Sequence, residues 1–351
     1  MSRLDNWPAS LRILYVGPTS GTCLQRAEAL RDLGHLVVHV ASGIPVDWVR
    51  NRLYALASRM GAPPDLFGAN RAIRRAIGSG RFDVLWIDKG LSITARALAH
   101  VRRASPHTVL VSYSPDDMSN PANRSRHYVE CIPLFDLHVT TKSYNMAELR
   151  EAGARDVLFV DNAYDPKIHR PIELSAEEQQ RFSAEVGFIG FHEAERAAHI
   201  LGLARAGIPV AVHGLGWERL RGSDEKLIVR TSYVDGLEYS KAINATRINL
   251  GFLRKVNRDL QTTRSVEIPA CGAFMLAERT DEHLRLFEEG KEAEFFGSFD
   301  ELFSKCRYYM EHEAERRKIA AAGLRRCVMG RYSNQGRLKG VLEHVQSLRF
   351  R

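Results

Sequence analysis

From residue 11 onward, short apolar runs alternate with helical stretches, and that rhythm restricts the chain to very few folds. Residues 11–17 are apolar and end in glycine, Pro18-Thr19-Ser20-Gly21 follows, and a helical pattern over 23–33 closes at Gly34. Further apolar runs at 36–41, 83–88, 108–113, 135–140 and 157–160 are separated by helical patterns at 93–103 and 145–152. Continuous apolar strands are buried on both faces, and with helices between them they predict βαβ units and a parallel sheet. The rhythm breaks over 162–185, where Asp165-Pro166, Arg170-Pro171 and the polar run 177–180 give no periodic apolar face. A second series then begins, with strands at 186–190, 210–213, 248–252 and 274–277, and helices at 194–206 and 264–271. Three helical patterns, at 299–310, 313–330 and 334–348, complete it.

A chain of 351 residues also exceeds what one hydrophobic core usually serves. The expected organisation is therefore α/β, with residues 1–170 and 171–351 as two doubly wound, Rossmann-like domains facing a central cleft. The last helix is placed to pack back on the first domain. In such sheets ligands bind outside the carboxyl ends of the strands.

Composition excludes several classes. The 44% hydrophobic and 26% charged fractions are those of a globular protein. No apolar run approaches the roughly 20 residues of a membrane span. Residues 1–10, with Asp5, Asn6 and Pro8, lack the basic-then-apolar order of a signal peptide, so a cytoplasmic protein is expected. Cys23, Cys131, Cys271, Cys306 and Cys327 are odd in number and form no Cys-x-x-Cys pair, which predicts reduced thiols. The net charge of +8 is concentrated in residues 1–110, where 15 Lys or Arg face 7 Asp or Glu. Arg50, Arg52, Arg59, Arg71, Arg74, Arg75 and Arg81 are opposed there by Asp65. Segment 49–81 thus reads either as a solvated helical face or as a surface for peripheral contact with anionic lipid at the inner face of a membrane. Nucleic acid is not an expected partner.

The segment richest in chemistry is 253–272, which follows an apolar strand and leads into a short helix. It carries Arg254, Lys255, Arg258 and Arg264 with Asp259 and Glu267, and Thr262 or Thr263 is placed to cap the helix. Arginines around a helix N-terminus suit a diphosphate, and a carboxylate one turn into the helix suits a ribose diol. The competing reading is a charged surface loop before an amphipathic helix. Pro269 and Gly272 argue for a specific geometry instead.

The run Thr-Thr-Arg-Ser-Val-Glu-Ile-Pro-Ala-Cys-Gly-Ala-Phe at 262–274 resembles the C-terminal signature of CgeB-like glycosyltransferases, a branch of the GT-B superfamily. Residues 186–190 with Glu195-Arg196, 212–217 and 287–293 look like the same family, so the similarity covers nearly all of 185–340. Weaker family-like blocks stand at 114–117, 140–143 and 162–166. The resemblance implies two facing Rossmann-like domains of the GT-B type, and transfer of a sugar from a nucleotide-diphosphate sugar with no cofactor and no required metal. Glu267 matches the glutamate that holds the donor ribose in many GT-B enzymes. The second acidic residue, eight positions earlier, is Asp259 here instead of glutamate, which leaves its role open. Arg254, Lys255 and Arg264 become partners of the diphosphate, and Gly190 and Gly214 end strands where backbone approaches the nucleotide.

Fixed cations can stabilise the charge on a departing nucleoside diphosphate, which fits the missing Asp-x-Asp triplet. Asp116 and Asp117 follow a strand of the first domain. They read either as the catalytic base or acceptor-binding residues, or else Asp117 or Ser119 caps a helix starting near Pro121 that contains His127. His213 ends a strand and is a candidate contact to the donor base. Thr19 and Ser20 lie in an acceptor-side loop that is neither a Walker loop nor Gly-x-Gly-x-x-Gly. His199, His283, His312 and His344 lack metal-ligand spacing. The acceptor is a saccharide, a lipid-linked saccharide or a protein. Alternatives are a sugar-nucleotide epimerase on the same fold and a non-enzymatic basic module that binds nucleic acid or membrane.

Overall fold

The computed structural model describes residues 10–43, 54–58, 60–231 and 234–348. Arg50, Arg52 and Arg59 of the basic segment lie outside the described residues. The chain divides into two compact units, Met1–Asp161 with Asn334–Arg351, and Asn162–Ser333.

The first unit holds β1 (Arg12–Gly17), β2 (Leu36–Ala41), β3 (Val84–Asp88), β4 (Val109–Ser114), β5 (Leu137–Thr140) and β6 (Val157–Phe159). All are parallel, in the order β2-β1-β3-β4-β5-β6. The order reverses between β1 and β3. Alternate side chains serve opposite faces, as the two-residue period of a strand requires. Ile13, Tyr15, Val84 and Trp86 pack under α1 (Gly21–Asp32) and the closing helix (Asn334–Leu348). Leu14, Val16, Leu85 and Ile87 pack under α2 (Ala69–Ser79) and α3 (Ala95–Ala104).

One buried ion pair fixes the reversal point of this sheet. Asp88 at the end of β3 is fully buried and receives Arg26 of α1 in a two-pronged pair, Nε–Oδ2 2.7 Å and Nη2–Oδ1 3.0 Å. The Tyr15 hydroxyl lies 2.5 Å from Asp88 Oδ2, and the Arg26 guanidinium sits 4.5 Å above the Tyr113 ring. Burial and the adjacent Asp88 push the Cys23 thiol up to about 12. All five cysteines are free and buried.

The second unit repeats the plan with β7 (Ala184–Ile189), β8 (Val210–His213), β9 (Leu227–Arg230), β10 (Thr246–Gly251), β11 (Met275–Glu278) and β12 (Glu294–Phe296). Their order is β12-β11-β10-β7-β8-β9, again all parallel, and it reverses between β7 and β10.

Two expectations change. Segment 176–182 is helical, although it shows no apolar period. Ser175 Oγ accepts from Glu178 N and the Glu178 carboxylate accepts from Ser175 N, a capping box that starts a helix whose one buried side chain is Phe182. No helix starts near Pro121. The helix containing His127 is Arg126–Cys131, capped by Ser125 Oγ on Tyr128 N, because Asp117 is engaged elsewhere. Among the described residues, no helix is long and apolar enough to cross a membrane.

Replacing Arg26 with Met leaves a buried carboxylate without its counter-charge, and unfolding in urea is expected to show a loss of about 3–5 kcal/mol. The double variant Arg26→Met/Asp88→Leu removes both charges and is expected to recover most of that loss. A double variant no more stable than the single one contradicts this account.

Candidate functional site

Where the strand order of the second unit reverses, the chain leaves β7 and β10 in opposite directions and opens a crevice at their carboxyl ends. Close backbone approach shapes its floor. Gly190 N donates to His213 O at 2.9 Å, and Trp217 Nε1 donates to Gly190 O at 2.8 Å. At Gly214, with φ +137°, an added Cβ stands 2.2 Å from Gly190 O. At Gly190 it meets the Phe188 ring at 2.7 Å and Arg264 Nη2 at 3.1 Å. Only glycine fits either place.

Arginines gather at this crevice. Arg264 Nε donates to Ile189 O at 2.6 Å, with its guanidinium 5.8 Å from the Phe188 ring centre. Arg196, on α7 (Ala194–Arg205), lies 5.5 Å from the same ring and is only 5% exposed. Its Nη1 donates to Phe191 O at 3.2 Å and lies 3.5 Å from Glu193 Oε1, while its Nε is buried with no hydrogen-bond partner. Arg254 takes the same Glu193 oxygen at 3.0 Å. Burial holds the Arg196 guanidinium below its ordinary pKa; Glu193 opposes that shift, and Arg264 and Arg254 add to it. Asp259, also buried, is a smaller electrostatic partner of Arg196. Lys255 pairs with Glu278, whose other oxygen accepts from Leu253 N at 2.7 Å. Two cations of the segment thus already hold carboxylates. A cavity of about 550 Å³ opens here, lined by Glu193, Arg196, His199, Phe252, Lys255 and Glu278 among others.

The helix carrying Glu267, Arg264–Ala270, is held differently than expected. Neither Thr262 nor Thr263 caps it with a side chain. Thr262 N donates to Ser265 Oγ at 3.0 Å, and Ser265 Oγ lies 2.6 Å from His283 Nε2. His283 Nδ1 lies 2.6 Å from Glu278 O, so the ring donates from Nδ1 and receives the serine hydroxyl proton at Nε2. The serine is therefore turned to the loop by a buried histidine, which pre-empts a threonine cap. Glu267 Oε2 accepts from the Tyr239 hydroxyl at 2.7 Å, and Oε1 lies 3.7 Å from His169 Nε2. Burial and the neighbouring Glu267 hold the Tyr239 hydroxyl well above its ordinary pKa, so it remains a donor.

Arg196, Glu193, Tyr239, His169, Ser265 and His283 join the expected residues of this unit at one sheet edge. His213 is buried at the end of β8, its Nε2 3.3 Å from Arg230 Nη1 and its Nδ1 without a hydrogen-bond partner.

In the first unit, Thr19 and Ser20 follow β1, and Ser20 occupies the N-cap position of α1 without a side-chain cap bond. Asp116 and Asp117 follow β4 and diverge. Asp116 is half-buried and paired with Lys89 at 3.0 Å, a residue whose φ of +64° is unusual outside glycine. Asp117 is 1% exposed; its Oδ1 accepts from Ser119 N at 3.1 Å and from Asn145 Nδ2 at 2.9 Å, holding the loop.

The fold has counterparts among known proteins. Residues 195–343 match a family model described as glycosyl transferase-like. No curated protein matches. Solved structures match over nearly the whole chain. Anabaena Alr3699/HepE, solved with UDP and glucose, superposes with a TM-score of 0.64 at 15% identity, covering 96% of this chain and 100% of that one. Sucrose-phosphate synthase from Thermosynechococcus elongatus gives 0.64 at 12% identity, covering 95% and 98%. A glycosyltransferase from Rickettsia africae gives 0.65 at 12% identity, covering 97% and 99%. The fold is the two-sheet GT-B architecture of these structures, and residues 195–343 carry a glycosyl transferase-like domain.

His213 and His283 provide a check on the buried network. Burial, aided at His213 by Arg230, lowers both imidazoles to about 4, whereas an unfolded histidine titrates near 6.5. Unfolded chains therefore bind protons first as pH falls. Stability present above pH 6.5 is expected to decline between about 6.5 and 4. Ring resonances followed by NMR are expected to titrate near 4, and titration of both near 6.5 contradicts the assignment.

Proposed function

We propose that this protein transfers a sugar from a nucleoside-diphosphate sugar to a hydroxyl-bearing acceptor, without a metal ion, in the manner of the CgeB-like branch. The observation that carries the proposal is the group of Arg196, Arg254 and Arg264 at the β7/β10 crevice, with Arg196 buried and its Nε unpartnered. Of these three guanidiniums, Arg254 and Arg196 share the Glu193 carboxylate, so positive charge is left over for an anion, and arginine matches phosphate oxygens with paired donors. As the bond between the sugar C1 and the phosphate oxygen breaks, its electron pair stays on the diphosphate. Cations already fixed in a low-dielectric crevice stabilise that charge without reorganising.

In this reading Glu267, oriented by Tyr239, accepts from the donor ribose through Oε1. Gly190 and Gly214 let backbone amides come close to the nucleotide. His213 offers Nδ1–H toward the base, Lys255 adds charge at the cavity mouth, and Asp259 steadies Arg196. Asp116, paired with Lys89, takes the proton of the attacking acceptor hydroxyl, while Asp117 positions its loop and Thr19 and Ser20 contact the acceptor. The acceptor is a saccharide, a lipid-linked saccharide or a protein, and the site of action is the cytoplasm.

Titration calorimetry with nucleoside diphosphates tests the donor half. Binding is expected in the micromolar range, weakened at least tenfold, about 1.4 kcal/mol, by Arg196→Ala or Arg264→Ala. Failure of every common nucleoside diphosphate to bind the folded protein overturns the reading. Conversion of a nucleotide sugar with no acceptor present points instead to epimerase chemistry on the same fold.

A further inference from the structure

The first unit carries a second cluster of arginines, far along the chain from the donor residues. Arg74 of α2 and Arg96, His100 and Arg103 of α3 line a hollow of about 240 Å³. On α3 they stand at i, i+4 and i+7, which is one helical face. The opposite faces of the two helices are spoken for, since Ile73, Ile77, Leu98 and Val101 are buried against the sheet.

Two features set this group apart from an ordinary solvated surface. First, charge compensation is missing. Neither helix contains an Asp or Glu, and among the described residues no carboxylate pairs with Arg74, Arg96 or Arg103. The nearby Asp65 is spent on the start of α2, accepting from Ala69 N at 2.8 Å and Asn70 N at 2.7 Å. Arg102 turns away to Asp136. Second, the helices are clasped. Asn70 Oδ1 accepts from Thr94 N at 2.9 Å and lies 3.0 Å from Thr94 Oγ1, while Asn70 Nδ2 donates to Ser92 O at 2.8 Å. Arg74 is one turn beyond Asn70, and Arg96 is two residues beyond Thr94, so the clasp fixes the bases from which both arginines reach.

We propose that Arg74, Arg96, His100 and Arg103 form a phosphoryl-binding site separate from the donor crevice. Three guanidiniums offer paired donors to tetrahedral oxyanions, the imidazole offers a further one, and no resident carboxylate must be displaced. A lipid headgroup phosphate and a free phosphate share this chemistry. The flanking exposed Arg71 and Arg75 extend the positive face beyond the hollow, as contact with a charged surface requires.

The test uses the full chain and the double variant Arg96→Ala/Arg103→Ala. Both side chains are exposed and unpaired, so the variant is expected to keep its circular dichroism spectrum and its nucleoside-diphosphate affinity. In one arm, vesicles of phosphatidylcholine with about a third phosphatidic acid are sedimented with protein at low and high salt. In the other, inorganic phosphate is titrated while thermal unfolding is followed, with the double variant compared against the unaltered chain so that any contribution of the donor crevice, common to both, cancels. Salt-sensitive capture by the anionic vesicles, absent with phosphatidylcholine alone and reduced at least fivefold in the double variant, supports a lipid phosphate. A phosphate-induced rise in unfolding temperature that the double variant loses, with no vesicle capture, supports a soluble one. No response in either arm, or responses that the double variant keeps, overturns the proposal whatever the donor titration shows.

Discussion

Two guanidinium groups, those of Arg196 and Arg264, lie against the one aromatic ring of Phe188, and the second unit is organised around keeping them there. Like charges in a partly buried place repel, so each must be compensated locally. The ring contributes its negative face, Ile189 and Phe191 contribute carbonyl oxygens, and Glu193 contributes a carboxylate shared with Arg254. Those acceptors are available because β7 stops at Ile189 and its continuation is pressed against Gly214. The glycines, the strand ending and the arginine positions are thus one constraint seen from three sides.

The two units use a buried arginine at the same topological place for opposite ends. In the first, Arg26 is matched by Asp88 with both prongs, and the Tyr15 hydroxyl closes the set. That arrangement is neutral and closed, and its physical effect is to tie α1 to β3. In the second, Arg196 donates to the Phe191 carbonyl, has only a long contact to the carboxylate of Glu193, and keeps an unpartnered Nε. Positive charge is left over there. Function on these related frameworks lies in whether the counter-charge comes from the protein or from outside.

The sheets were readable from sequence because parallel strands buried on both faces are continuous apolar runs, and ten of the twelve strands coincide with such runs. The short β9 and β12 were not, since Leu227–Arg230 and Glu294–Phe296 offer too few apolar residues for a period. The helix Gly236–Ala245 was missed as well, and Tyr239 with it, so the partner of Glu267 had no visible signal. Arg254, Lys255 and Arg264 were legible as a charged loop after a strand. Their counter-ions were not, because Glu193 and Glu278 come from distant segments that only the fold assembles. Asp116 and Asp117 shared one candidate role as base or acceptor contact. Burial separates them, and burial is a tertiary property.

Glu193 and Glu278 carry a consequence for how any anion enters the crevice. Each carboxylate occupies a cation now, Glu193 on Arg254 and Glu278 on Lys255. Arrival of an anionic ligand is then an exchange of partners and not a simple addition of charge. The displaced carboxylates must turn outward, and Glu193 stands at the N-cap of the same helix, Ala194–Arg205, that carries Arg196. On the proposed reading, Glu193 and Glu278 are tethered competitors of the ligand, at an effective concentration fixed by the fold. A singly charged anion replaces two tethered carboxylates poorly, so the electrostatics of the proposed site favour a multiply charged ligand.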